Sequence, residues 1–193
     1  MTLSRRDWLM GAGAIAAGTL VSTPEALRAA EAAATQPARS GRIHTPNGWT
    51  LPYRMNEGVK EFHLVAEEIE HEFAPGSKAK LWGYNGSTPG PTIEAVEGDR
   101  VRIFVTNRLP EHTSIHWHGL LLPCGMDGVS GLTQPAIKPG ETYAYEFTLR
   151  QHGTHLYHPH ADEMVQLALG MMGFFIIHPR GAAQVDRDFA VML

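Results

Sequence analysis

Histidines one residue apart occur twice in this chain, as His116 and His118 in SIHWHGLLLP and as His158 and His160 in GTHLYHPH. Both stretches read as β-strand, and in a strand residues i and i+2 leave the same face with Cα atoms about 6.7 Å apart. Each pair therefore offers two imidazoles side by side. If the two strands are neighbours, four imidazoles converge on one small volume. Neutral imidazole is an effective ligand for copper, zinc, iron and nickel. The spacing along each strand is generous for a single ion and comfortable for two adjacent ions, so a metal cluster suits it better than a lone ion. One His-x-His arises easily by chance in a strand. Two of them, flanked by Trp117 and Gly119 in one case and by Tyr157 and Pro159 in the other, point to metal ligation. On spacing alone, zinc stays open beside copper.

Such pairs need strands whose other face is buried. Ile115 and Trp117 alternate with the first pair and are expected to enter a core. From Val59 the chain is written as short apolar–polar alternations rich in Val, Ile, Phe, Tyr and Thr. These are KEFHLVAEEIEHEF, AKLWGYNG, TIEAVEGDRVRIFVTNRL (two strands around the turn Glu97-Gly98-Asp99), SIHWHGLLL, ETYAYEFTL, GTHLYHPH and GFFIIHP. Clusters such as APGSK and STPGP cut them at sandwich-like intervals. The expectation is an all-β chain, an antiparallel Greek-key β-sandwich or barrel. One segment differs: DEMVQLALGMM, residues 162–172, has apolar residues at helical offsets behind an acidic start and predicts a short helix packed on the sandwich. The closing RDFAVML looks like the opening of another strand, so the chain is expected to be a piece of something longer.

The N-terminus reads as an address. SRRDWLM, with adjacent Arg5 and Arg6, precedes the apolar, small-residue run Leu9 to Val21 and then the Ala-rich PEALRAAEAAAT. That is the layout of an export signal of twin-arginine type, assigned to residues 1–33, and its apolar run is shorter than the roughly 18–20 residues of a membrane span. Residues 34–58, rich in Pro, Gly and Asn, read as an extended arm with no core of its own. Residues 59–180 form the expected domain, and 181–193 a linker or the start of a following domain. The place of work is then the periplasm or the cell exterior. A net charge of -4 without a basic run excludes nucleic acid as an expected partner. Cys124 is the one cysteine, so no intramolecular disulfide is possible.

The flanking residues narrow the metal. SIHWHGLLLPCGMDGVSGLTQPAIKPGETYAYEF and GTHLYHPHADEMVQLALGMMGFFIIHP resemble the first, cupredoxin-like (plastocyanin-type) domain of the multicopper oxidases, the family of laccases, copper-efflux oxidases and ascorbate oxidase. The likeness runs from about Gly86 to Arg180, more loosely back to Val59, and includes Asp127-Gly128-Val129, Thr133-Gln134 and the Pro139-Gly140 turn. It implies copper: His116 on the type 2 ion, and His118, His158 and His160 on the type 3 pair of a trinuclear cluster that reduces dioxygen to water while a reductant is oxidised. It also implies that Asp127 helps deliver protons to that cluster, beside its plainer role as a turn residue before Gly128.

The departures matter too. The family completes the cluster from its last domain, with a His-Cys-His motif whose Cys holds the type 1 copper. No His-Cys-His occurs here, and Cys124, in LPCGM, has no adjacent His. The chain is expected to supply half of the cluster. The remaining ligands would come from further cupredoxin domains of the same chain or from a neighbouring subunit. The alternative is a stand-alone copper-binding or copper-storage module without catalysis. A cupin fits less well, because its His-x-His is normally followed closely by a Glu. Here no acid follows His118 before Asp127, and Glu163 lies at an awkward offset behind His160. A zinc hydrolase would need an open ligand position and a placed base. His44, His63, His71, His112, His152, His155 and His178 are expected to be structural, and Met164, Met171 and Met172 to pack rather than to bind Cu(I).

Overall fold

Alternation decides which way each strand faces. In RVRIFVTN the residues Val101, Ile103 and Val105 are fully buried, while Arg100, Arg102 and Phe104 lie on the other side. The computed structural model describes residues 19–20, 43–181 and 185–192. Ten strands follow in chain order. They are β1 (Thr19–Leu20), β2 (Arg54–Asn56), β3 (Val59–Ala74), β4 (Ser77–Tyr84), β5 (Ile93–Val96), β6 (Arg100–Asn107), β7 (His116–His118), β8 (Thr142–Thr148), β9 (Gly153–His158) and β10 (Gly173–His178). Among the described residues, one helix, α1 (Glu163–Ala168), and a 3-10 turn at Cys124–Met126 complete the set. No helix among the described residues is long and apolar enough to cross a membrane. The expected export signal lies outside the described residues except for Thr19–Leu20, which pair with Ala144 and Tyr143 of β8.

The strands form two sheets. The larger runs β1-β8-β6-β3-β2 with β4 also on β3, and the smaller runs β5-β10-β9-β7. Their inner faces meet in one core that includes Phe62, Leu64, Val101, Ile103 and Tyr145 from the larger sheet, and Ile93, Trp117, Tyr157, Phe175 and Ile177 from the smaller. The Trp117 ring sits 5.2 Å from Tyr145 and 5.9 Å from Phe175, edge-on to both, so one aromatic side chain ties the layers together. Burying each large apolar side chain of this kind contributes about 1.5–3 kcal/mol.

Several expectations are refined. The pairing is mixed rather than antiparallel throughout, because β3 runs parallel to β6 and β5 parallel to β10. The turn at Glu97-Gly98-Asp99 lies between β5 and β6 as expected, but it carries the chain from one sheet to the other. β5 and β6 are thereby separated although adjacent in sequence, and each pairs with a strand from a distant part of the chain, β5 with β10 and β6 with β3. The helix is six residues long, ending at Ala168 because Gly170 takes a φ of +110 and turns the chain back toward β10. The arm joins the main core through Leu51 and pairs as β2 with β3. RDFAVML adds no strand: Phe189 makes a single bridge to His44, and Ala190 packs against Ile43 and Ile176.

Candidate metal centre

Because β7 and β9 pair antiparallel, with His116 opposite His158 and Trp117 opposite Tyr157, the two histidine-bearing strands are neighbours. Trp117 and Tyr157 point into the core with no exposed surface, so the histidines take the outer face of the small sheet. His116 lies with ring centroids 5.6 Å from His118, 5.4 Å from His158 and 4.7 Å from His160. His118 and His160 are each 5.4 Å from His158. All four imidazoles named from the sequence are brought together.

Hydrogen bonds set which nitrogen of each ring is free. His116 Nδ1 donates to the backbone oxygen of Asp127 at 2.7 Å, which leaves Nε2 as the lone-pair atom. His158 Nδ1 donates to Pro159 O at 3.0 Å, again freeing Nε2. That Nε2 lies 3.1 Å from His118 Nδ1, so His118 donates the proton that bridges the two rings. Burial is the first cause that holds the His158 imidazole below its ordinary pKa, favouring the neutral form that a metal needs. The Asp127 carboxylate stands 3.4 Å from His116 Nδ1, behind the ring rather than among the free nitrogens.

The surroundings are built to hold this arrangement. Gly128 has φ +84, and a Cβ there would stand 1.7 Å from the carbonyl oxygen of Ile115. Only glycine lets the 127–128 loop come close enough for Asp127 O to reach His116. Gln166 of α1 is fully buried; its Nε2 donates to His112 O at 2.9 Å and its Oε1 accepts from the Thr113 hydroxyl at 2.7 Å. The backbone N–H of His160 donates to Ser114 Oγ at 3.3 Å. Through these bonds the helix and the second histidine pair are tied to the loop that leads into β7. Sequence reasoning missed Gln166; the signal for it was a lone amide among the apolar residues of an expected packing helix.

The remaining histidines lie outside the cluster. His63 Nε2 is 2.7 Å from Thr106 Oγ1, His152 pairs with Glu97 at 3.2 Å and His178 with Glu94 at 2.8 Å. His155 lies on the inner side of β9, where burial lowers its pKa. Met171 is fully buried whereas Met164 is exposed, so the methionines form no common patch. Cys124 is exposed and outside the cluster.

A β-sandwich presenting four convergent imidazoles on an outer face is a metal-binding domain. The multicopper oxidase family model matches residues 66–182, and the chain belongs to that family. It is 44% identical over 146 residues to copper resistance protein A of Escherichia coli, an alignment covering 75% of this chain and 24% of that protein. It is 41% identical over 132 residues to L-ascorbate oxidase of Brassica rapa subsp. pekinensis, covering 66% and 22%. Among solved structures, the multicopper oxidase from Campylobacter jejuni, described as a metallo-oxidase, matches with TM-score 0.65 at 34% identity over 76% of this chain and 31% of that one. The chain spans about a quarter of the length of the curated relatives it matches. The cupredoxin-like fold expected from the sequence is the fold of these relatives.

Copper is the cofactor that this family brings, and the donor set fits it. Two ligands at about 2.0–2.1 Å from one ion, at a tetrahedral angle, stand about 3.3 Å apart. His118 Nδ1 and His158 Nε2 are 3.1 Å apart. One ring nitrogen from each of His116, His118 and His158 lies within 4.8 Å of the other two.

Proposed function

We propose that residues 59–180 are the N-terminal domain of an exported multicopper oxidase and supply half of its trinuclear copper cluster. His116 holds the type 2 ion, and His118, His158 and His160 hold the type 3 pair. The observation that carries this is the convergence of four imidazoles, with ring centroids 4.7–5.6 Å apart along the edges given above, on an outer rather than an inner face. A site on an outer face is open to a second surface. Leu156, in register with His118, leaves 39% of its surface uncovered beside the cluster. Further cupredoxin domains of the same polypeptide, or a neighbouring subunit, bring the missing ligands and cover that face.

When bound, copper supplies the one-electron steps that couple oxidation of a reductant to reduction of dioxygen to water. The chain's own residues prepare for this. His116 and His158 keep their Nδ1 protons on backbone carbonyl oxygens and present Nε2. For His118 Nδ1 and His158 Nε2 to hold copper together, the Nδ1 proton that now lies between them would have to move to His118 Nε2. Asp127, with its carboxylate 3.4 Å from His116 Nδ1 and 35% exposed, is positioned to carry protons between solvent and the cluster. Residues 1–33 direct export by the twin-arginine route to the periplasm or beyond.

The test is dioxygen uptake by the polypeptide as its gene encodes it, loaded with copper and given a one-electron donor. Uptake that His118→Ala and His158→Ala abolish supports the proposal. Stoichiometric copper without uptake supports a copper-storage module instead.

A further inference from the structure

Donor atoms come within 4.8 Å of one another in two overlapping sets, His116/His118/His158 and His158/His160/Glu163. The second set contains a carboxylate that the four-histidine cluster does not use. Glu163 Oε2 lies 3.6 Å from His160 Nε2, and its Oε1 lies 3.7 Å from His158 Nδ1. Both distances are too long for hydrogen bonds. The first suits donors that share an ion, since ligands about 2.0–2.2 Å from a metal stand roughly 3.3–3.7 Å apart at angles of about 110–120°; His158 Nδ1 keeps its proton on Pro159 O and is not such a donor.

The backbone is bent to place this carboxylate. Asp162 takes a left-handed conformation, φ 46 and ψ 53, at the start of α1, although it is not a glycine. That conformation costs about 1–2 kcal/mol and persists where the surroundings impose it. It turns the chain directly after His160, so that the first helical residue reaches back over the imidazoles. Buried Gln166 then fixes the helix to the loop before β7. Four neutral imidazoles leave the charge of any bound ions uncompensated. A carboxylate beside His160 lowers the repulsion between two neighbouring divalent ions. Glu163 retains 44% side-chain exposure, so an ion can meet it from solvent with little desolvation cost.

We propose that Glu163 is a metal-ligating carboxylate which, with His160, completes a second copper position in this chain beside the one spanned by His118 and His158. The inference rests on the histidines being copper ligands, and it gives the chain two ion positions before any partner surface arrives.

The experiment is a Cu(II) titration of the 193-residue chain, competed against a chelator, with thermal melting as the check on folding. The unsubstituted chain is expected to bind two equivalents. Glu163→Gln is expected to weaken one of them at least tenfold and leave the other unchanged. His118→Ala is expected to remove the other, leaving an equivalent that Glu163→Gln then weakens. Two equivalents bound by Glu163→Gln within twofold of the unsubstituted chain would overturn the inference, including the case where the substitution only lowers stability by removing an acid from the first turn of α1. A single equivalent in the unsubstituted chain, lost with His118→Ala, would overturn it while sparing the histidine site. No Cu(II) binding at all would overturn both.

Discussion

The Nδ1 of His116 lies 2.7 Å from the backbone oxygen of Asp127, and the residue that permits this contact is the next one, Gly128. A side chain at position 128 would have to adopt φ +84 and would meet the Ile115 carbonyl at 1.7 Å. Gly128→Ala is therefore expected to cost about 3 kcal/mol or more and to displace the loop that orients His116. Chemical denaturation and copper stoichiometry check this. Unchanged values for both would show that the loop yields freely.

Gln166 offers a second test of how the site is held. Gln166→Leu keeps the bulk but leaves His112 O and the Thr113 hydroxyl without their buried amide partner. The expected loss is about 2–3 kcal/mol. The urea midpoint reads it directly, and a variant as stable as the parent would mean that water or a local shift satisfies both groups.

Copper should stabilise the fold. An ion that binds only the native arrangement raises stability by about 4 kcal/mol at a free concentration a thousand times its dissociation constant. Addition of Cu(II) is expected to raise the melting temperature by several degrees, reversibly with a chelator. His158→Ala should remove most of that rise. An equal rise in the variant would place binding elsewhere.

Burial, with Arg108 nearby, lowers the pKa of His63 from 6.5 to about 4. Between those values the unfolded chain holds the proton that the native chain refuses. Stability from this residue is full above about pH 6.5 and falls by about 3 kcal/mol as pH drops toward 4. His63→Gln can keep the hydrogen bond to Thr106 and should flatten the difference between urea midpoints at pH 7 and pH 4.5. Parallel pH profiles for parent and variant would show that other groups set the slope.

The strand-borne part of the candidate site was legible because a period of two is unambiguous and puts His116 and His118 on one face; the second pair was expected in one strand too, but β9 ends at His158 and His160 lies beyond it. Ile115 and Trp117 were placed in the core for the same reason, and both are fully buried. Glu163 was set aside because its offset behind His160 did not suit the Glu of a cupin motif, and the two residues are not in one element: α1 begins at Glu163. The left-handed turn at Asp162 that brings it back cannot be read from residue type alone, since Asp adopts that conformation in only a minority of its positions. Gln166 looked like an ordinary helix residue, and its role depends on two partners more than fifty residues away. The parallel pairings were hidden for a similar reason: strand order is a property of distant segments, and alternation specifies faces but not neighbours.

Trp117 and Tyr157 face each other across the β7–β9 ladder while the imidazoles occupy the alternate positions. A slip of one residue between either strand and its sheet would exchange these roles, emptying the outer face and forcing basic rings among the aromatic ones of the core. Misalignment is thus penalised twice over, and a chain with the wrong strand alignment loses its imidazole cluster and its interior together. Quality control is built into the folding code: a molecule that gathers these imidazoles on its outer face has, by that fact, aligned its strands correctly.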